Sequence, residues 1–392
     1  MALVVSPLDK LLATDPVDRA DADPVELIDS SRVQPGLIAV LLGESPRKPA
    51  IRIIDRRGTV IHEWTPRWQD LWPKGEGKFY RRPVRGMFAH GLHVTAEGDI
   101  VTNFEFNSTF RLDLCGEVVW KLDNHGHHAV AADRDGKIWV PIERVFLNGP
   151  APYIGHIAHL RANGLQQIDA NGEIIKTIDL FDNFIDQGLH GLMHIGRGVS
   201  ANGEAMGDTM HVNDIEVFPE DVESLVFDAG DLLVSARHLN AIFVIDPITE
   251  RVKWYHSGGF VRQHDPDFTD RGTITFLDNF GHFSSDQIGR KYSRIIEIDP
   301  VTNTQKTILG ADLERPFYTE ISGSHEWLPN GNILVVASQE GRLLEYTPDG
   351  QLVWRYDNRL PSGENGRVYN TQFLPPHMDK AFFEAAKRSC EQ

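Results

Sequence analysis

Short runs that alternate apolar and polar residues recur along this chain, paired across polar turns. One type of pair has an I-D-x-x-G turn followed by apolar residues and often Trp. It reads RIIDRRGTVIHEW (52–64), FRLDLCGEVVWKL (110–122), LQQIDANGEIIKTI (165–178), FVIDPITERVKWY (243–255), IIEIDPVTNTQKTI (295–308) and LLEYTPDGQLVWRY (343–356). β-Branched and aromatic residues at alternate positions fit pleated strands, and Asp or Asn with Gly supplies the positive φ of tight hairpin turns. A second type opens with a histidine, at His90, His128, His211, His264 and His325, and runs through a Gly turn into a β-rich segment. Two hairpins per unit in six units predict an all-β chain, a six-bladed β-propeller of four-stranded blades. Such units cannot bury their faces alone, and radial stacking solves that. A pair of β-sandwiches, the competing architecture, lacks this alternating two-hairpin repeat.

The spacing is uneven. His128 and His211 lie 83 residues apart, against 38 from His90 to His128. The excess falls in 141–164 and in the Gly-rich stretch 188–210, and 65–86 forms a third insertion that is basic and aromatic. Long loops in a compact domain are commonly functional, and these are expected as irregular loops on the top face. The predicted organisation is a polar N-terminal arm over 1–34, the propeller over 35–372 and a tail over 373–392 ending in a short helix, DKAFFEAAKRSC.

Composition narrows the function. At 41% hydrophobic residues the chain is globular, and 39 basic against 56 acidic residues leave a net charge of −17. That excludes the basic face that nucleic acid or an anionic membrane requires. An anionic substrate would need a local cationic pocket. No apolar run is long enough to span a bilayer, and the N-terminus reads as free of a signal peptide. Two cysteines, Cys115 and Cys390, make no disulfide framework. The expected location is therefore cytoplasmic. The expected partner is a small aryl or anionic substrate, with a homodimer left open as an assembly.

Matched positions in radially repeated units converge in space, so the recurring histidines are expected at one mouth of a central channel. Read singly, a histidine in a hairpin is a turn or core residue hydrogen-bonded to backbone; recurrence is what favours function. His211 and Asn213 lie two apart on a strand and share a face. Arg237 follows a strand end, where its guanidinium could fork onto two anionic oxygens or brace two blades. Asp265 and Asp267 read as turn and capping residues, and Lys74–Arg85 as a solvated loop. His190 and His194 have the i, i+4 spacing of zinc ligands, but glycines flank both and the glutamate of a protease motif is missing.

The pieces GHHAV, MHVND, SARHLNAIFVID, QHDPDF…GTITFLDN and HEWLPNGNILVVASQEGRLLEYTPDGQLVW, in that order, resemble the bacterial arylsulfate sulfotransferases. The resemblance covers about residues 35–375 and is carried by the order of the motifs. It implies nucleotide-independent transfer of a sulfuryl group between phenols. It implies that His264 is the nucleophile, that His128, His211 and Arg237 hold the sulfuryl oxygens, and that Asn213 sits beside the second histidine of the pattern. His325 and His90 are expected to bind substrate, and no cofactor is implied. The chemistry is sound on its own terms. A neutral imidazole attacking sulfur splits the transfer into two steps, and cationic donors stabilise the charged oxygens.

The chain departs from that pattern. It has no segment for the extra N-terminal β-domain of the best-known members, and it adds His90, His93, His127 and His325 at comparable places. Extra imidazoles suit a metal, so a second reading is a lyase, hydrolase or oxygenase on a small aromatic or organosulfur substrate. There Zn or Fe would be held by His128, His211, His264 and His325. A third reading is a non-catalytic propeller presenting its top face to a partner. Arg237 separates the first two, since an oxyanion site needs a guanidinium and a metal site does not.

Overall fold

The computed structural model describes residues 23–390, apart from 46–47, 74–87, 148–151, 154, 158, 196–204, 285–290 and 311. It is a six-bladed β-propeller. Blade 1 combines both ends of the chain. Its inner strand is Val368–Phe373, followed outward by Ile38–Ser45, Lys48–Ile54 and Val60–Trp64. The register Ile38↔Phe373 to Leu42↔Val368 closes the ring. Blades 2 to 6 follow in order, with inner strands Ala89–Val94, Ala131–Ala132, Val212–Val217, His264–Phe268 and Ser324–Trp327. The arm expected outside the propeller contributes Val25–Leu27, a fifth strand on the outer edge of blade 6.

All six hairpins of the first type form the outer two strands of a blade. Their turn aspartates explain the motif. Asp55, Asp113, Asp169, Asp246 and Asp299 each accept from two backbone N–H groups of their own turn. This is the local hydrogen bonding that makes Asp a turn former. The tryptophan has a different job. Trp64, Trp120 and Trp354 donate their indole N–H to a carbonyl in a turn of the next blade, at Asp113, Ala170 and Arg56.

Period-two alternation assigns each strand's side chains to two neighbouring interfaces. In blade 4, Leu232, Val234 and Ala236 pack against blade 3, while Leu233 packs against blade 5. In blade 6, Ile333, Val335 and Ala337 face blade 5, and Leu334 and Val336 face blade 1. Six buried apolar clusters result, one at each junction of adjacent blades. The second strands are buried on both sides, which is why they read as uninterrupted apolar runs.

The cysteine expectation is corrected. Cys115, in the outer hairpin turn of blade 2, and Cys390, at the end of the C-terminal helix Lys380–Cys390, form a disulfide 275 residues apart in sequence. Spacing alone could not pair them, because the helix comes back to blade 2 only once Phe383 is buried in the cluster between blades 1 and 2. Cross-linking so long a loop restricts the unfolded chain. Cys390→Ser should cost about 2–4 kcal/mol, read as a lower melting temperature that reducing agent also produces in the wild type and not in the variant.

Candidate active site

Each of the five histidines expected at one channel mouth sits in or just before an inner strand. His90 and His325 are second in theirs, His264 opens its own, His211 directly precedes Val212, and His128 stands three residues before Ala131. β-Bulges distort the heads of blades 2, 4 and 5 between His90 and Leu92, Val212 and Asp214, and His264 and Asp267. Positive φ falls at Gly91, His128, His211 and Asp265. Bulges beside a site re-aim side chains, and these three fall at or beside His90, His211 and His264.

The rings make a continuous row. Centroids of His90 and His128 lie 4.8 Å apart, His128 and His211 4.9 Å, and His211 stacks on His238 at 4.5 Å. His264 belongs to the same neighbourhood, because the charges of Arg237, His128 and His90 all bear on it.

Three of these histidines are oriented by side chains that sequence reasoning missed. His264 Nδ1 lies 2.6 Å from Asn279 Oδ1 and 3.0 Å from the Arg262 carbonyl. The Asn279 amide donates Nδ2 to the carbonyls of Thr319 and Ser322, at 2.8 and 2.9 Å. Its oxygen must therefore face the imidazole, so Nδ1 of His264 carries the proton and Nε2 the lone pair. The Ser322 N–H, 3.2 Å from Nε2, agrees with that tautomer. His128 Nδ1 lies 3.0 Å from Glu105 Oε1, with His90 Nδ1 3.2 Å from Oε2. His211 Nδ1 lies 2.5 Å from Asp208 Oδ2. Two carboxylate–imidazole dyads thus flank His264.

A positional signal could have found two of these partners. Arg237, Asn279, Glu105 and Ser338 each directly follow the second strand of their blade. Reading Arg237 as functional marks the same place in the other blades. Arg367 directly precedes the inner strand of blade 1, the place that His211 holds in blade 4, and is buried.

The electrostatics suit neutral imidazoles. Burial, then the Arg237 charge, pushes His264 well below its ordinary value. Burial also lowers His128 and His211, against the pull of Glu105 and Asp208. His238 falls to about 4, chiefly through burial, with Arg237 and Arg262 adding to it. Burial would raise Glu105, but His128 and His90 outweigh it and hold the carboxylate ionised. Arg237 is buried on a short 3₁₀ turn, its Nη1 3.4 Å from His238 Nε2 and its backbone N–H on the His211 carbonyl.

Two expected residues have structural partners. Asn213 donates Nδ2 to the Gln263 carbonyl at 2.9 Å, tying blade 4 to the residue before His264. The His325 side chain is buried against blade 5, with Nδ1 2.9 Å from Asp265 Oδ2 and Nε2 2.8 Å from Thr275 Oγ1. The His194 ring lies 5.0 Å from that of His156, tilted by 54°. The run Lys74–Arg85 and part of the 188–210 stretch lie outside the described residues. Among the described residues, ligand-distance groups are His90–Glu105–His128, Asp208–His211–His238 and Asp265–Asp267–His325. No group holds two of His128, His211, His264 and His325, so these four do not form one ligand set.

The family profile described as arylsulfotransferase (ASST) matches residues 88–359. Among solved structures, a Bacteroides caccae protein of unknown function is 12% identical, with a TM-score of 0.49, over 83% of this chain and 94% of its own. A streptogramin B lyase is 13% identical with a TM-score of 0.46, over 89% and 97%. TolB from Acinetobacter baumannii is 14% identical with a TM-score of 0.46, over 86% and 66%. A search of curated proteins found no match.

Proposed function

This chain belongs to the arylsulfotransferase family, and from that premise we propose that it moves a sulfuryl group from an aryl sulfate to a phenol through His264. The observation that carries the proposal is the fixed tautomer of His264. Asn279 holds the Nδ1 proton, so the lone pair of His264 lies on Nε2, which gives up its bond from the Ser322 N–H to attack sulfur. In the first step Nε2 forms a bond to sulfur, and the bond from sulfur to the donor's aryl oxygen breaks. The aryl oxygen departs as phenolate and takes its proton from solvent. In the second step a neutral carboxylate–imidazole dyad, Glu105–His128 or Asp208–His211, takes the proton of the acceptor phenol and releases it to solvent. The phenol oxygen bonds to sulfur, and the N–S bond breaks with its electrons returning to Nε2. Arg237 supports the sulfuryl oxygens, whose charge persists throughout. Asn279, Glu105 and Asp208 are positioning residues, and Asn213 steadies the backbone that presents His264.

Because the nucleophile is neutral well below pH 6.5, no protonation of His264 should slow the first step near neutrality. With a nitrophenyl sulfate donor, whose leaving group needs no proton, kcat/KM should stay level from about pH 8 to below the ordinary imidazole value of about 6.5. The acid limb should appear only beneath it. A fall centred near 6.5 would mean that an ordinary exposed imidazole does the chemistry.

The His90–Glu105–His128 group favours a second reading, a metal-dependent enzyme using Zn or Fe, since its ligand atoms lie within 4.8 Å of one another. The same assay separates the two. Sulfuryl transfer should survive EDTA treatment, whereas a metal-dependent reaction would not. The channel-mouth histidine row argues against a non-catalytic scaffold, which has no use for buried dyads.

Among the described residues, no helix is long and apolar enough to cross a membrane. The Cys115–Cys390 disulfide fits an oxidising compartment better than the cytoplasm expected from cysteine count.

A further inference from the structure

Below the histidine row the channel changes character. A cavity of about 400 Å³ is lined by residues from all six inner strands. Asp214 and Glu216 enter it from blade 4, Asp265 and Asp267 from blade 5, and Glu326 from blade 6. Three of these carboxylates have fixed hydrogen bonds. Glu216 accepts the Phe268 N–H at 2.6 Å, Glu326 the Phe373 N–H at 2.9 Å, and Asp265 the His325 N–H at 2.6 Å. Each of these bonds crosses to the next blade, so the carboxylates also lace the inner strands together. Among the described residues no lysine or arginine pairs with any of the five; His325 is the sole ion-pair partner. Five acidic groups around one narrow cavity repel one another unless protons or a cation lie among them.

A second observation comes from Ser324. It lines the same cavity, is 6% exposed, and its hydroxyl has no hydrogen-bond partner. A buried hydroxyl left unpaired is costly, and an oxygen ligand position satisfies it. Asp265 and Asp267 offer oxygens within 4.8 Å of each other and of His325. Both nitrogens of His325 are already engaged, so it serves to orient Asp265 rather than to ligate.

We propose that this channel floor is a binding site for a hard divalent cation, with Asp265 and Asp267 as carboxylate ligands and Ser324 as a hydroxyl ligand. An all-oxygen set of carboxylates and a hydroxyl matches calcium better than magnesium, which demands tighter octahedral geometry. The cation would link blades 5 and 6 through their inner strands. The proposal does not depend on sulfuryl transfer, since binding is read without substrate.

The test uses the full chain, stripped with EDTA and exchanged into metal-free buffer at neutral pH. Calcium chloride and magnesium chloride are titrated in separately by calorimetry, and melting is followed in parallel. The expected result is one calcium per chain, a raised melting temperature, and weaker binding of magnesium. Asp267→Asn should weaken calcium by about tenfold or more. If that variant does not fold, Ser324→Ala provides the same test, with a smaller loss of affinity. No heat and no melting shift up to about 10 mM calcium, beyond the weakest natural sites, would overturn the proposal. Calcium affinity unchanged in a folded Asp267→Asn would overturn it equally.

Discussion

His264→Ala should lose turnover by about 10⁶-fold, the scale reached when a nucleophile is removed from a site whose parts act as a unit. The reason is local. Asn279, locked by two carbonyls, and the Arg262 carbonyl fix the proton of His264 on Nδ1 and leave its lone pair on Nε2. His128 and His211 hold their Nδ1 against carboxylates instead, which suits them to proton transfer rather than to attack. Removing the ring also leaves Asn279 Oδ1 buried without a donor, at a cost in stability. His264→Gln, whose amide could refill that bond, is therefore the second variant. Both should retain their β-rich circular dichroism and a cooperative melt. Incubating the wild type with donor alone should add one SO₃ mass to the peptide containing His264, and neither variant should show it. Turnover near wild type in a folded variant, or the label on another histidine, would defeat the covalent mechanism.

Arg237→Lys should lower kcat by about 10²–10³, or about 2.7–4 kcal/mol of transition-state stabilisation, although the charge is kept. A guanidinium offers a planar fork to two sulfuryl oxygens, and an ammonium offers a point charge. The acid limb of the rate profile distinguishes this from loss of charge. Arg237 helps to hold His264 below its ordinary value. With the charge retained in Arg237→Lys, that limb should stay where it is in the wild type. In Arg237→Ala it should move to higher pH, because the neutral nucleophile loses a cationic neighbour. Arg237 is also buried beside His238, so a bracing role is the rival account. If Arg237→Lys lowers the melting temperature and leaves kcat intact, the residue braces blades and the oxyanion role fails.

The repeat was legible because it is local. Each I-D-x-x-G turn is closed by its own aspartate, as Asp55 and Asp113 show, and each strand's alternation serves two fixed neighbours. The heads of the inner strands were legible for the same reason, since matched places in a radial array must meet around one axis. That much brought His90, His128, His211 and Arg237 into one neighbourhood with His264.

What only the tertiary structure decided is whatever depends on contacts between blades and on small shifts of register. His325 carries the same sequence cue as His264 and, like His90, stands second in its strand. The strand of His325 has no bulge like the one that follows His90, and the His325 ring bonds Asp265 and Thr275 of blade 5 instead of joining the histidine row. Asn213 shares the face expected for it, but what it meets there is the Gln263 carbonyl of the next blade. Glu105 and Asn279 lie 23 and 15 residues from the imidazoles they orient, and strand packing decides which ring each meets; Asp208 lies 3 residues from His211 in an irregular stretch that no repeat marks. The Cys115–Cys390 bond spans 275 residues and exists because the closing strand returns the C-terminal helix to blade 2. Local hydrogen bonding and side-chain alternation are written in neighbouring residues. Tautomers, dyads and cross-links arise from long-range packing and become readable only when the ring is closed.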